Sequence, residues 1–203
     1  MTSKIQNDSL EKISSEVRGC PLCKLSRTRK NAVAGEGLPS AKIMFIGEAP
    51  GKNEDEQGKP FVGNAGKILE KALTKAGIKR SEVFITNVVK CRPPNNRVPE
   101  PDERSACRPY LNRQISVVSP KVICILGSTA YASLLGGRSI TSDRGKIKEK
   151  HGQRFFPTIH PGAAIYNKAL RSVLERDLST LKRELQKIND QSVNTLLDYT
   201  HTR

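Results

Sequence analysis

No stretch of this 203-residue sequence approaches the ~20 consecutive apolar residues needed to span a bilayer, and the polar opening MTSKIQNDSL lacks the apolar segment of a signal peptide. A soluble intracellular protein, in cytoplasm or nucleoid and with no membrane partner, is therefore expected. Acidic charge is also scarce: 20 Asp plus Glu stand against 35 Lys plus Arg, a formal net charge of +15. Such an excess favours a polyanionic partner through counterion release, nucleic acid first among them. In that compartment the five cysteines do not form a disulfide framework and read instead as metal ligands or buried thiols. Internal repeats and low-complexity linkers are absent. One domain over 1–188, monomeric, followed by a polar and flexible tail over 189–203, is expected.

Four short runs rich in β-branched and aromatic residues stand out: KIMFIG (42–47), VFITNVV (83–89), KVICILG (121–127) and RFFPTIH (154–160). They read as buried strands. Amphipathic segments at 63–76, 101–118 and 128–135 lie between them, so strands alternate with helices and the sheet should be mainly parallel, giving an α/β sandwich. Ligands of open α/β sheets sit beyond the carboxyl ends of the strands. Three of the runs lead there into polar or glycine-bearing turns: GEAPG, TNVVKC and HPG. Farther on, Leu170, Leu174, Leu178, Leu181 and Leu185 share one helical face, the pattern of ordinary core packing.

Cys20 and Cys23 form a CPLC pair, Cys91 follows the second apolar run, and Cys107 lies in the next amphipathic segment. Cys20, Cys91 and Cys107 stand among Gly, Pro, Arg and Asn rather than on apolar faces, which is where ligands rather than core thiols are found. Cys124, inside KVICILG, has the setting of a core residue. Four thiolates can close either a zinc site or an iron–sulfur cluster, and spacing leaves both open.

The four-cysteine spacing, GEAPGKNEDEQGKPFVGNAG (47–66), TNVVKCRPPNNRVP (86–99) and IHPGAAI (159–165) occur in an order that resembles the family 4 uracil-DNA glycosylases, the iron–sulfur branch of the uracil-DNA glycosylase superfamily. The likeness runs from Cys20 to about Leu181. It implies a three-layer α/β/α sandwich with a mainly parallel four-stranded central sheet and a 4Fe-4S cluster on Cys20, Cys23, Cys91 and Cys107. It also implies a repair enzyme that hydrolyses the N-glycosidic bond of deoxyuridine, in single- or double-stranded DNA, and leaves an abasic site.

That chemistry requires a flipped nucleotide read on its Watson–Crick edge. Phe61 is the candidate to stack on the base; its plain alternative is a core Phe. Asn87, at a strand end, offers an amide that donates to uracil O4 and accepts from N3–H; its alternative is a turn-forming Asn. Negative charge on the leaving uracil calls for donors aimed at O2, and His160 and the backbone amides of the GEAPG turn are expected to supply them. In that turn Gly47 and Gly51 allow close approach and Pro50 stiffens the curve. His151 and His201 stand in charged or tail segments and are expected to be inert. The best-known branch of the superfamily carries an Asp where this chain has Ala49, so a strong general base is missing. Glu48 remains to orient water or sugar, and the resemblance places Glu54 near the uracil 5-position, beside Gly51, with Asp55 on the turn's far side.

Arg92, Arg97, Arg138, Arg144 and Lys146 fall on loops expected at the same sheet edge and are candidates for DNA contact, with SDRGK (142–146) similar to an intercalation or phosphate-clamp loop. No histidine lies between Thr141 and Lys150, so covalent capture of the kind seen in one relative is not expected. NTLLDYTHTR loosely resembles a sliding-clamp docking motif, against the plainer reading of a disordered end. Two other readings stay open: a damage-sensing DNA-binding protein with weak turnover, and an iron–sulfur redox protein.

Overall fold

The computed structural model describes residues 8–137 and 139–200, with side chains to residue 190. In chain order the elements are α1 (Leu10–Gly19), β1 (Glu36–Gly37), β2 (Ile43–Gly47), α2 (Lys52–Gln57), α3 (Asn64–Lys75), β3 (Phe84–Asn87), α4 (Pro101–Val118), β4 (Val122–Leu126), α5 (Ser128–Leu135), β5 (Lys148–Lys150), β6 (Gln153–Thr158), α6 (Ala163–Tyr166) and α7 (Ala169–Thr200).

Alternation along the strands creates two cores. Ile43 and Phe45 of β2, with Cys124 and Leu126 of β4, face Leu69 and Leu73 of α3 and Leu174, Leu178 and Leu181 of α7. Met44, Ile46, Ile123 and Ile125 face the other way, toward Ile13 and Val17 of α1, Leu111 and Val118 of α4, and Ala130 of α5. Strands apolar on both faces are those covered by helices on both sides, and the result is three layers.

Strand order is β1-β3-β2-β4-β6-β5. The inner pairs β3/β2, β2/β4 and β4/β6 are parallel, while β1 and β5 pair antiparallel on the outside. The sheet therefore has six strands rather than the four expected from sequence. The additional ones are only two and three residues long, EG and KEK. Neither carries an apolar alternation by which a strand is recognised; their pairing is decided by the sheet edges they cover.

Helix α4 has the bounds expected from sequence, with Pro101 in its first turn and a capping box between Glu100 and Glu103. Helix α1 was not anticipated; Ser9 Oγ caps it by accepting from the Lys12 N–H at 3.1 Å. Helix α7 runs to Thr200, through most of the segment expected to be a flexible tail. No Gly or Pro occurs between residues 169 and 200, so nothing in the chain stops the helix. The side chains of the clamp-like motif lie outside the described residues. The parallel strands end at Gly47, Asn87, Leu126 and Thr158, which brings the loops after them to one edge.

Candidate functional site

A cavity of about 510 Å³ opens at that edge, lined by Glu48, Ala49, Gly51, Glu54, Phe61, Asn87 and His160 among others. Gly47, at the end of β2, is buried beside Asn87, its register partner. A Cβ on Gly47 would lie 2.5 Å from Asn87 Oδ1 and 2.7 Å from Phe61 Cζ, so only glycine lets the three meet. The Val88 N–H donates to Gly47 O at 2.9 Å and the Val89 N–H to Glu48 O at 3.2 Å, which ties the GEAPG turn to the chain leaving β3.

The turn's own amides are fewer than expected. Pro50 has no N–H, and the Gly51 N–H donates to Glu54 Oε2 at 3.1 Å. The donors a ligand could take from this turn narrow to the Glu48 and Ala49 amides. Glu54 Oε1 accepts from the Val62 and Gly63 N–H groups at 2.9 and 2.7 Å. Its carboxylate thus clamps the first turn to the one that presents Phe61. Phe61 holds φ at +50°, a left-handed conformation costing a bulky residue about 1–3 kcal/mol. Gly66 accommodates it, since a Cβ there would sit 1.9 Å from Phe61 O. Asp55 is buried and accepts from the Lys30 and Asn31 amides at 2.9 and 3.2 Å.

The Phe61 ring stands 5.8 Å from the His160 ring, tilted by 38°. His160 Nδ1 accepts from the Gly162 N–H at 3.0 Å, so the single proton of the neutral ring resides on Nε2. Burial pulls the imidazole down to about 4, against the opposing pull of Glu54. At neutral pH His160 is therefore an uncharged N–H donor. Gly127, at φ +92°, leaves room behind it, for a Cβ there would lie 2.8 Å from His160 Cβ.

Asn87 is buried. Its Oδ1 is, among the described residues, the only buried side-chain polar atom with no hydrogen-bond partner. Buried acceptors are ordinarily satisfied, so the unpartnered oxygen of a residue that lines the cavity is left for a donor that a ligand brings.

The wall also contains residues not singled out from sequence: Lys52, Asn53, Asn64, Asn96 and Tyr166. Asn96 belongs to a left-handed turn, φ +53°, and accepts from Arg92 Nε at 2.8 Å. PPNN is legible as a turn, but not which way it faces. Tyr166 is 93% exposed at the rim.

Two arginines expected to meet phosphate are committed elsewhere. Arg97 binds Glu103 in bidentate fashion at 2.8 and 2.6 Å, because that buried carboxylate needs a counter-charge. Arg144 binds Asp177 of α7 at 2.7 and 2.9 Å, and the same carboxylate accepts from Thr158 Oγ1 at 2.6 Å. The SDRGK segment is thereby fastened to the end of β6. Lys146 is exposed and donates to Ser142 O at 3.3 Å; Arg138 lies outside the described residues.

Behind the cavity, Cys20, Cys23, Cys91 and Cys107 line one small void of about 10 Å³ together with Arg29, Lys90 and Tyr110. Cys20 caps the C-terminus of α1, Cys91 follows the segment that leaves β3, and Cys107 lies in α4. Arg29 Nη1 donates to Cys91 Sγ at 3.1 Å and to Cys20 O at 3.0 Å. Burial pushes the Cys107 thiol up to about 11 and raises Cys91, opposed by Lys90 at the first and Arg29 at the second. Lys90, also buried, is pulled down to about 7. Four thiols flanked by two cationic side chains fit a cluster that binds as thiolates and carries net negative charge. Among the described residues, no three His, Cys, Asp or Glu group as ligands of a single metal ion. Cys124 is fully buried in the centre of β4.

This geometry can be set beside known proteins. The type-4 uracil-DNA glycosylase of Sulfurisphaera tokodaii is 55% identical over 186 residues, covering 86% of this chain and 84% of the relative. That of Saccharolobus solfataricus is 50% identical over 188 residues, 88% of this chain and 87% of the relative. That of Thermotoga maritima is 42% identical over 187 residues, 90% and 97%. The family model described as the uracil DNA glycosylase superfamily matches residues 34–189, from the approach to β1 into α7 and so across the whole strand-end cavity. With a match of that extent and relatives this similar over nearly their full length, the chain belongs to the uracil DNA glycosylase superfamily.

Proposed function

We propose that this protein is a DNA repair hydrolase that cleaves the N-glycosidic bond of deoxyuridine in DNA, releasing uracil and leaving an abasic site. The observation that carries this reading is the unpartnered Asn87 Oδ1 in a cavity that also holds the Phe61 ring and a neutral His160. A flipped uracil stacks on Phe61, gives its N3–H to Asn87 Oδ1 and accepts at O4 from Asn87 Nδ2. Cytosine lacks an N3–H and presents a donor at position 4, so it opposes the amide at both points.

As the C1′–N1 bond breaks, its electron pair leaves with the base and spreads over N1, C2 and O2, while the sugar becomes an oxocarbenium ion. His160 Nε2–H and the Glu48 and Ala49 amides meet the charge on O2. Water then adds to C1′, and the proton it loses passes through solvent to the uracil anion, so that neutral uracil is released. The Glu48 side chain, half-buried on the cavity wall, orients that water. A strong base at Ala49 is dispensable because the main barrier is charge separation. Cys20, Cys23, Cys91 and Cys107 would hold a 4Fe-4S cluster, which when bound supplies four iron–thiolate bonds tying α1, the segment after β3 and α4 together. Arg92, Lys52 and Lys146 are the side chains assigned to phosphates near the cavity, single- or double-stranded, with the protein acting as a monomer.

The test is incubation with labelled oligonucleotides carrying U opposite G, U opposite A, T opposite G, and single-stranded U, for wild-type protein and Asn87→Asp. Uracil release by the wild type and a shift toward cytosine release in the variant are expected. No release from any uracil substrate in single turnover would overturn the reading.

A further inference from the structure

Lys90 is one of the largest fully buried side chains of the protein, at 1% exposure. Its ammonium donates three hydrogen bonds, to Thr86 Oγ1 at 2.6 Å, Asn87 O at 2.8 Å and Gln114 Oε1 at 2.7 Å. All three acceptors are neutral. A buried ammonium is costly unless charge of the opposite sign stands near, and the acidic groups that line the void with it are the thiols of Cys20, Cys23, Cys91 and Cys107. Lys90 also lines the void formed by Cys20, Cys23, Cys91 and Cys107 and precedes Cys91 directly in the chain. One residue therefore borders the thiol set and holds the Asn87 carbonyl with its side chain.

That second contact bears on base reading. Asn87 Oδ1 has no partner within the protein, so no hydrogen bond to that oxygen aims the amide before a ligand arrives. Its direction comes from the backbone that carries it, at the last position of β3. The Asn87 carbonyl is held by Lys90. Thr86, the residue before, is held twice over, since its hydroxyl also donates to Ala34 O at 2.8 Å. Gln114 completes the brace from α4, donating through Nε2 to the same Ala34 O at 2.7 Å. A neutral residue at position 90 would leave these acceptors facing one another without a shared donor.

We propose that Lys90 is a positioning residue that couples the four-cysteine site to the Asn87 amide, so that the side chain bordering the thiols also sets the aim of the group that reads the base. The inference rests on the assignment of Asn87 as the uracil reader.

The experiment compares holoprotein of the wild type and Lys90→Met by iron content, visible absorption, and equilibrium dialysis with labelled uracil and cytosine. With the sulfur ligands untouched, iron and spectrum should match wild type. Uracil affinity should fall roughly tenfold, as for loss of a charge-assisted hydrogen bond, with the uracil-to-cytosine preference narrowing alongside. A role confined to stability would lower the melting temperature and leave that preference unchanged. Should Lys90→Met fail to accumulate with iron, Thr86→Val removes one of the three acceptors and should lower uracil affinity about threefold. An iron-loaded variant of either kind with wild-type affinity and preference overturns the coupling alone. Wild-type holoprotein that binds no uracil overturns the reading of Asn87 and the coupling with it.

Discussion

The strand-end cavity and the cysteine void stand on either side of the five residues from Asn87 to Cys91, yet they are built by opposite means. The cavity groups assigned to the base are neutral and tightly held: an unpartnered amide oxygen, an uncharged imidazole, and a Phe61 at φ +50° kept there by Glu54 and Gly66. The void is lined by ionisable groups, four thiols with Arg29 and Lys90, of which Cys91, Cys107 and Lys90 are buried. A site that must receive a base with developing negative charge works best with fixed dipoles, because dipoles cost no reorganisation when the charge appears. A site that stays loaded can instead offset a resident charge with cations.

The largest expected effect lies on the void side. Cys107→Ala should lose iron and soluble protein together, while Cys124→Ala, at the centre of β4, should keep about four irons per chain. Iron analysis of both purified variants checks this, and loss of iron from Cys124→Ala would mean that the wrong four were chosen. Next is the cavity's donor. His160→Ala should lower the single-turnover rate by roughly two to three powers of ten, the scale for one oxyanion donor, with affinity for undamaged DNA unchanged because phosphate contacts supply it. If Ala49→Asp instead raised the rate strongly and His160→Ala left it intact, water activation rather than charge stabilisation would limit the reaction.

Phe61→Ala removes the stacking face but keeps the Cβ that makes φ +50° costly. It should weaken binding of the flipped base by about 1–3 kcal/mol, whereas Phe61→Gly loses the same face and relieves the strain. Equal loss of uracil affinity in the two variants, with the higher melting temperature in the glycine one, separates stacking from strain. The smallest effect concerns pH. Because folding lowers the His160 pKa from its ordinary 6.5 to about 4, the unfolded chain binds more protons between those values. This residue's contribution to stability is therefore constant above about pH 6.5 and declines as pH falls toward 4. Its donor form persists over that range, so the single-turnover rate should show no step at the ordinary histidine pKa. A step there, absent in His160→Ala, would show that the folded imidazole titrates normally.

Much of the architecture was legible along the chain. Apolar runs with helices between them, and Gly- or Pro-bearing turns at the strand ends, determine a parallel α/β sandwich with its site at one edge, because burial on both faces leaves a continuous apolar signature. Helices α4 and α5 could be bounded from sequence because Pro101 and Gly136 mark their ends. The four-cysteine pattern was visible as well, in the CPLC pair and the polar neighbours of Cys91 and Cys107, but those neighbours did not reveal that folding buries both of these thiols. Strands β1 and β5 were not legible, because two or three polar residues take their pairing from a neighbour they cannot announce.

What only the tertiary structure decided is the use to which each polar group is put. Glu54 was expected from sequence near the base and Arg97 and Arg144 at DNA, yet in the fold all three hold loops. Lys90, which no sequence pattern singles out, is buried between two sites. The Nε2–H form of His160 follows from one amide two residues away, and the open valence of Asn87 from the absence of any donor around it. The physical reason is the same in each case. Apolar burial is encoded by residue type and spacing, whereas a hydrogen bond or ion pair is a relation between two groups, and only folding determines which groups meet.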